Sequence, residues 1–226
     1  PVIPGTGLDG GFAFGWTYSD VRQQILDMTP SAGRSLSASL SFGHPSLGGR
    51  YSYVRASWSV RRFVEAPWTE HQVLALRYGG GAAYDSRGQR GAFSLGGFPD
   101  TSLAEQLINN DQLGGVALRG YPAFSILGDR FQLLKSEYRF PLVRVLRGPE
   151  TVPVFFDRMY ALVFFDWGNA YFGEIDFEDF KKGIGAELLS DFTLGYELPY
   201  SFRLGFAYGF DEGGGAQIYV NFGVPF

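Results

Sequence analysis

The sequence predicts an all-β protein, an antiparallel transmembrane β-barrel or a large part of one, on three observations. Apolar and small or polar residues alternate with a period of two along most of the chain, as happens when one face of a strand meets lipid and the other a polar lumen. No window holds the roughly 18 consecutive apolar residues of a membrane helix, yet 17% of the 226 residues are aromatic and 32 are glycine. The chain also finishes on a strand pattern that ends in an aromatic residue, Phe226, with Ile218, Val220, Phe222 and Val224 on one face and Gln217, Tyr219, Asn221 and Gly223 on the other.

The strands follow from that alternation. Over 10–19, Phe12, Phe14, Trp16 and Tyr18 alternate with Gly11, Ala13, Gly15 and Thr17; over 34–43, Leu36, Ala38, Leu40 and Phe42 alternate with serines. Over 51–63, Val54, Ala56, Trp58 and Val60 interleave with Arg55, Ser57, Ser59 and Arg61, so the second face carries charge. A fourth strand is expected over 70–83. The segment 84–128 is expected to be a long extracellular loop, within which Ser102 to Glu105 has the spacing of a capping box opening a short helix. Further strands are expected over 129–142, 155–168, 183–196, 200–210 and 216–226, the last two again alternating, as in Phe202, Leu204, Phe206 and Tyr208 against Arg203, Gly205, Ala207 and Gly209. Pro-containing turns at 64–69, 143–154 and 197–199 fall at the end of the strands opposite to the long loop. About nine strands result, an odd number where bacterial barrels have even ones, so a single barrel domain is expected that is either truncated or miscounted by one strand.

Composition narrows the function. The net charge of −4 shows no basic stripe, so nucleic acid is not an expected partner. No cysteine is present, which suits an oxidising envelope. The opening PVIPGTG has neither a basic nor an apolar leader region, so the sequence reads as a mature or excised piece of an exported protein. Two histidines, His44 and His71, and the absence of a Gly-x-Ser-x-Gly elbow leave little for nucleophilic or metal chemistry, and neither an enzyme nor a cofactor or metal site is expected. Asp176, Glu178 and Asp179 read as a solvated acidic loop. Glycines 79–81 and 213–215 lack the Lys-Ser/Thr of a phosphate loop and read as bends or turns.

The long loop holds Phe93-Ser-Leu-Gly-Gly97 and Gly114-Gly-Val-Ala-Leu118-Arg119-Gly120-Tyr121, followed by Ser136-Glu137-Tyr-Arg-Phe-Pro-Leu142 and Phe164-Phe-Asp166-Trp-Gly168. This order resembles the bacterial surface antigen superfamily, the barrels of BamA, TamA and two-partner-secretion transporters, with its Arg-Gly-aromatic loop tip, its Phe-x-Asp-x-Gly strand and its aromatic finish. The resemblance implies the C-terminal part of a barrel of roughly 16 strands in the bacterial outer membrane. It implies a role in inserting barrel proteins or passing polypeptide across the membrane, without a cofactor. The partners would be outer-membrane lipid, client polypeptides or nascent barrel proteins, and periplasmic modules of the same chain. It also pairs Arg119 with Asp166, with Glu137 nearby, pinning the loop inside the barrel; a solvated loop arginine is the alternative. A passive pore, or an anchor for a soluble domain upstream, are the competing functions.

Parity independently turns Glu137 and Asp166 to the face opposite Tyr138, Phe140, Val163, Phe165 and Trp167. Arg55, Arg61, Arg77, Arg130, Lys135, Arg139 and Arg203 are expected on that same inward face. They read either as the ordinary lining of a watery lumen or as a positive track for unfolded polypeptide or anionic lipid. Gly223 and Pro225 are expected to thin the ladder of the last strand, easing an opening at that seam.

Overall fold

The structure is a computed structural model, and it describes residues 8, 10–22, 30–67, 69, 71–85, 92–98, 117–148, 154–195 and 197–223. Eleven strands are found among these: β1 (Gly11–Ser19), β2 (Gly33–Gly43), β3 (Tyr53–Glu65), β4 (Val73–Asp85), β5 (Phe93–Leu95), β6 (Ile126–Gly128), β7 (Arg130–Arg147), β8 (Val154–Tyr171), β9 (Lys181–Leu194), β10 (Leu198–Gly209) and β11 (Ala216–Gly223). One short 3-10 turn, Pro45–Leu47, lies between β2 and β3. Nine strands form one antiparallel sheet in the order β1-β2-β3-β4-β7-β8-β9-β10-β11, and β5 and β6 pair as a separate small ribbon. The sheet is open: β1 and β11 are its edges.

The two-residue period sorts the side chains as the alternation requires. Outward residues are apolar and exposed, with Phe14 at 60%, Trp16 at 59%, Phe206 at 48% and Ile218 at 78%. The opposite face buries Lys135, Asp166, Glu187, Asp191, Arg203 and Asn221. A water-soluble sheet has the reverse arrangement. Among the described residues no helix is long and apolar enough to cross a membrane, which says nothing about strands.

Register carries each strand of the sheet to the next in chain order, except that β5 and β6 fall in the connection between β4 and β7. That connection is where the core sits. Phe93 and Leu95 of β5 and Leu118 and Tyr121 beyond it pack on Phe131 and Leu133 of β7 and Ala170 of β8. A second cluster, Leu162, Phe164, Leu189 and Ala207, lies beside it on the same face. Glycines in β4 make room for these rings: a methyl at Gly81 would fall 2.6 Å from the Phe131 ring and 2.8 Å from the Phe93 ring.

Several expectations are corrected. β7 and β8 run to residue 147 and from residue 154, so the turn expected at 143–154 is shorter than its proline suggested. Pro141 lies inside β7, as the expected strand 129–142 has it, and a register shift follows between Pro141 and Val143. β5 and β6, three residues each, are too short to show a period and had been read as loop. Arg130 faces outward: it shares the side of Gln132 and Leu134, is exposed, and donates to the Gly173 carbonyl at 2.7 Å. Gly223 keeps its ladder partner, Ser201. The capping box at 102–105, Gly114, Gly115, Val224, Pro225 and Phe226 lie outside the described residues.

Candidate functional site

The loop tip Leu118-Arg119-Gly120-Tyr121 lies against the inward face of the sheet, over β8, β9 and β10. One backbone bond ties it to the β10–β11 turn, Gly215 N–H to the Gly120 carbonyl at 3.1 Å, and two tie it to the segment after β5, Leu118 N–H to the Gly96 carbonyl and Gly97 N–H to the Tyr121 carbonyl, both at 2.8 Å. The close approach demands glycine on both sides. Gly120 has a φ of 94°, in the left-handed region, and a methyl on it would sit 2.5 Å from the Gly209 nitrogen. A methyl on Gly183 of β9 would sit 2.1 Å from the Arg119 carbonyl oxygen. Backbone cannot yield as a flexible side chain can, so the tip docks only where β9 and β10 lack Cβ atoms.

Arg119 is 1% exposed, and its guanidinium is surrounded by acids from three successive strands. Nε donates to Asp166 Oδ2 and Nη2 to Asp166 Oδ1, both at 2.7 Å, in the bidentate fork that suits a guanidinium. Its main-chain N–H also reaches Asp166 Oδ2 at 3.2 Å. Nη1 donates to Glu187 Oε1 of β9 at 2.9 Å and lies 3.1 Å from Glu137 Oε1 of β7. The guanidinium carbon stands 3.5 Å from the centre of the Phe164 ring, a cation–π contact. Burial opposes the charge, but Asp166 and then Glu187 outweigh it and hold Arg119 more firmly protonated than an ordinary arginine.

The Phe164-x-Asp166-x-Gly168 spacing now has a physical reason. Period two puts all three on the inward face of β8. Phe164 supplies the ring under the guanidinium and Asp166 the fork, while a methyl at Gly168 would meet the Gln132 carbonyl at 2.5 Å and Leu133 at 2.8 Å. Tyr121 closes the other side: its hydroxyl contacts the Lys182 carbonyl at 2.8 Å and Asp211 Oδ2 at 3.2 Å, and burial raises its pKa above the usual tyrosine value.

Around the fork, Arg139 binds Glu137 at 2.6 Å and Arg203 lies 3.2 Å from Glu187 Oε2. Tyr219 donates to Glu187 Oε1. Lys135 is the cross-strand partner of Asp166. Of the predicted residues, Leu118, Arg119, Gly120, Tyr121, Glu137, Asp166 and Gly168 are therefore brought together. Ile218, Val220 and Phe222 lie apart from them on the opposite face of β11, and Val224 and Phe226 fall outside the described residues. Glu187 was missed. Its signal was available, because Gly183, Gly185, Glu187 and Leu189 alternate with Ile184, Ala186 and Leu188.

A sheet of this order carrying such a loop can be compared with solved structures. The chain superposes on the crystal structure of BamA from Haemophilus ducreyi lacking POTRA domains 1–3, with a TM-score of 0.60 and 16% identity over 93% of this chain and 41% of that one. The fold is BamA-like. At 16% identity the likeness to BamA concerns the fold alone, and this chain spans less than half of the BamA structure's length. No family model and no curated protein matches the chain.

Proposed function

We propose that the chain is a segment of an outer-membrane β-barrel that assists insertion of other barrel proteins or translocation of polypeptide, with outer-membrane lipid on its outer face. The observation that carries this reading is the buried Arg119 fork, in which one loop residue ties three strands together on the charged face of a sheet whose other face is exposed and apolar. A solvent pore needs no such tie; a barrel whose loop and seam must keep one arrangement until a client arrives does. The apolar outer face and strands of 8 to 18 residues support a bilayer location, since tilted membrane strands need about 9 to 11 residues. An edge strand such as β11 offers unpaired backbone groups to an incoming strand of a nascent barrel protein. We assign the segment no enzymatic role and no cofactor.

The test is depletion of the full-length protein in its source bacterium, followed by complementation with wild type or Arg119→Ala. A general fall in outer-membrane barrel proteins on depletion, restored by wild type and poorly by Arg119→Ala, is expected. A normal outer-membrane profile overturns the assembly role. Full rescue by Arg119→Ala removes the loop from the mechanism.

A further inference from the structure

Away from the Arg119 fork, the inward face of β1 to β4 and β7 encloses a cleft of about 320 Å³, lined by Thr17, Ser37, Ser39, Ser57, Ser59, Arg77 and Lys135 among others. Register explains its charge. Arg61, Arg77 and Lys135 are direct cross-strand partners on β3, β4 and β7, so three cations stand in one row, an arrangement that repels. Along the same row the next residue is Asp166, and Glu137, two residues on from Lys135, also faces Arg61, Arg77 and Lys135; both acids are shared with the arginines of the fork, Asp166 with Arg119 and Glu137 with Arg119 and Arg139, and on the other side the row ends in Ser35 and Ser19. The neighbouring row is hydroxyl-rich: Thr17, Ser37 and Ser59. Ser39 and Ser57 hydrogen-bond to each other at 2.7 Å, whereas the Ser59 hydroxyl is buried with no hydrogen-bond partner among the described residues. Lys135 is 5% exposed.

We infer that this cleft is a binding site for a phosphate group, seated between the hydroxyl row and the Arg77–Lys135 pair. A guanidinium and an ammonium supply charged donors, the serines supply neutral ones, and the volume is ample for a tetrahedral oxyanion. A phosphate carries nearly two negative charges near neutral pH and offsets a row of three cations better than a monoanionic carboxylate does. The phosphate is either free or the headgroup of a lipid. The inference stands apart from the assembly role, because binding is read on the full-length protein with no client present.

The experiment titrates the full-length protein, purified in micelles of a phosphate-free zwitterionic detergent, with inorganic phosphate, with a short-chain phosphatidic acid and with acetate at matched ionic strength, following ³¹P line width and the thermal unfolding midpoint. Wild type should broaden the phosphate line and unfold at a higher temperature in phosphate than in acetate. Arg77→Gln should weaken binding about tenfold or more, as loss of a charged hydrogen-bond donor does. Ser59→Ala, which removes a buried hydroxyl that lacks a partner among the described residues and leaves the fold intact, should weaken it a few-fold, and Arg34→Gln at the exposed start of β2 should change nothing. Stronger binding of the lipid than of inorganic phosphate identifies the headgroup as the source, and binding of inorganic phosphate alone identifies the free ion. Equal response to acetate, no response to either phosphate, or wild-type affinity in both Arg77→Gln and Ser59→Ala overturns the site.

Discussion

Asp166→Asn preserves volume and removes one charge at the centre of the Arg119 fork. The carboxylate is fully buried and takes three N–H groups of Arg119, two from the guanidinium and one from the main chain. An asparagine offers one carbonyl oxygen and an amide NH₂, so one of the two guanidinium donors meets another donor. A charged hydrogen bond is worth about 1.5–3 kcal/mol, and stripping one partner from a buried ion pair costs about 3–5 kcal/mol. Glu187 and Glu137 still hold Nη1, which places the loss toward the lower end, about 3 kcal/mol. That corresponds to a roughly 150-fold rise in the fraction of molecules with the tip undocked. Native-state hydrogen exchange in micelles reads this directly at the amide of Gly215, whose acceptor is the Gly120 carbonyl of the docked tip. That amide should exchange about two orders of magnitude faster while ladder amides between β8 and β9 stay protected. Exchange within threefold of wild type at Gly215 would refute the energetic argument. Equal loss across the β8–β9 ladder would show that Asp166 holds the sheet rather than the loop.

Three further outcomes follow from the same geometry. Arg119→Asp combined with Asp166→Arg should recover part of the tip protection that each single change removes, measured by the same exchange experiment; additive loss argues against direct contact. Gly183→Val should expel the tip, because its Cβ collides with the Arg119 carbonyl, and loop cleavage by added protease should become fast while heat-modifiable folding persists. Leu204→Arg on the outer face should cost about 2–4 kcal/mol of folding stability in lipid vesicles if the site lies at mid-bilayer. A neutral result for Leu204→Arg in vesicles removes the lipid-facing assignment.

Much of this arrangement was legible because one rule, alternation, fixes which side chains share a face. It placed Glu137 and Asp166 together before any contact was known, and the glycines beside Arg119 announced a tight tip. Alternation fails where a count must be held through an irregular start: Arg130 opens β7 immediately after the loop, and assigning it inward slipped the parity by one. The continuation of β7 past 142 is hidden because register shifts between Pro141 and Val143 and between Arg144 and Arg147 break the alternation there. The open sheet and the β5–β6 ribbon depend on pairing between distant segments, which a single sequence expresses only weakly. The cross-strand row of Arg61, Arg77 and Lys135 was hidden for the same reason; parity named its members, but only register made them neighbours.

The placement of the three acids around Arg119 also bears on the order of folding. Glu137, Asp166 and Glu187 belong to consecutive strands joined by hairpins, so local pairing of β7 with β8 and of β8 with β9 brings them onto one surface early. Arg119 must then arrive from a connection separated from Glu187 by 68 residues, and its glycine-lined seat is complete only once β10 has been added. Docking of the tip is therefore the late step, and the guanidinium reports that four strands have reached their final register.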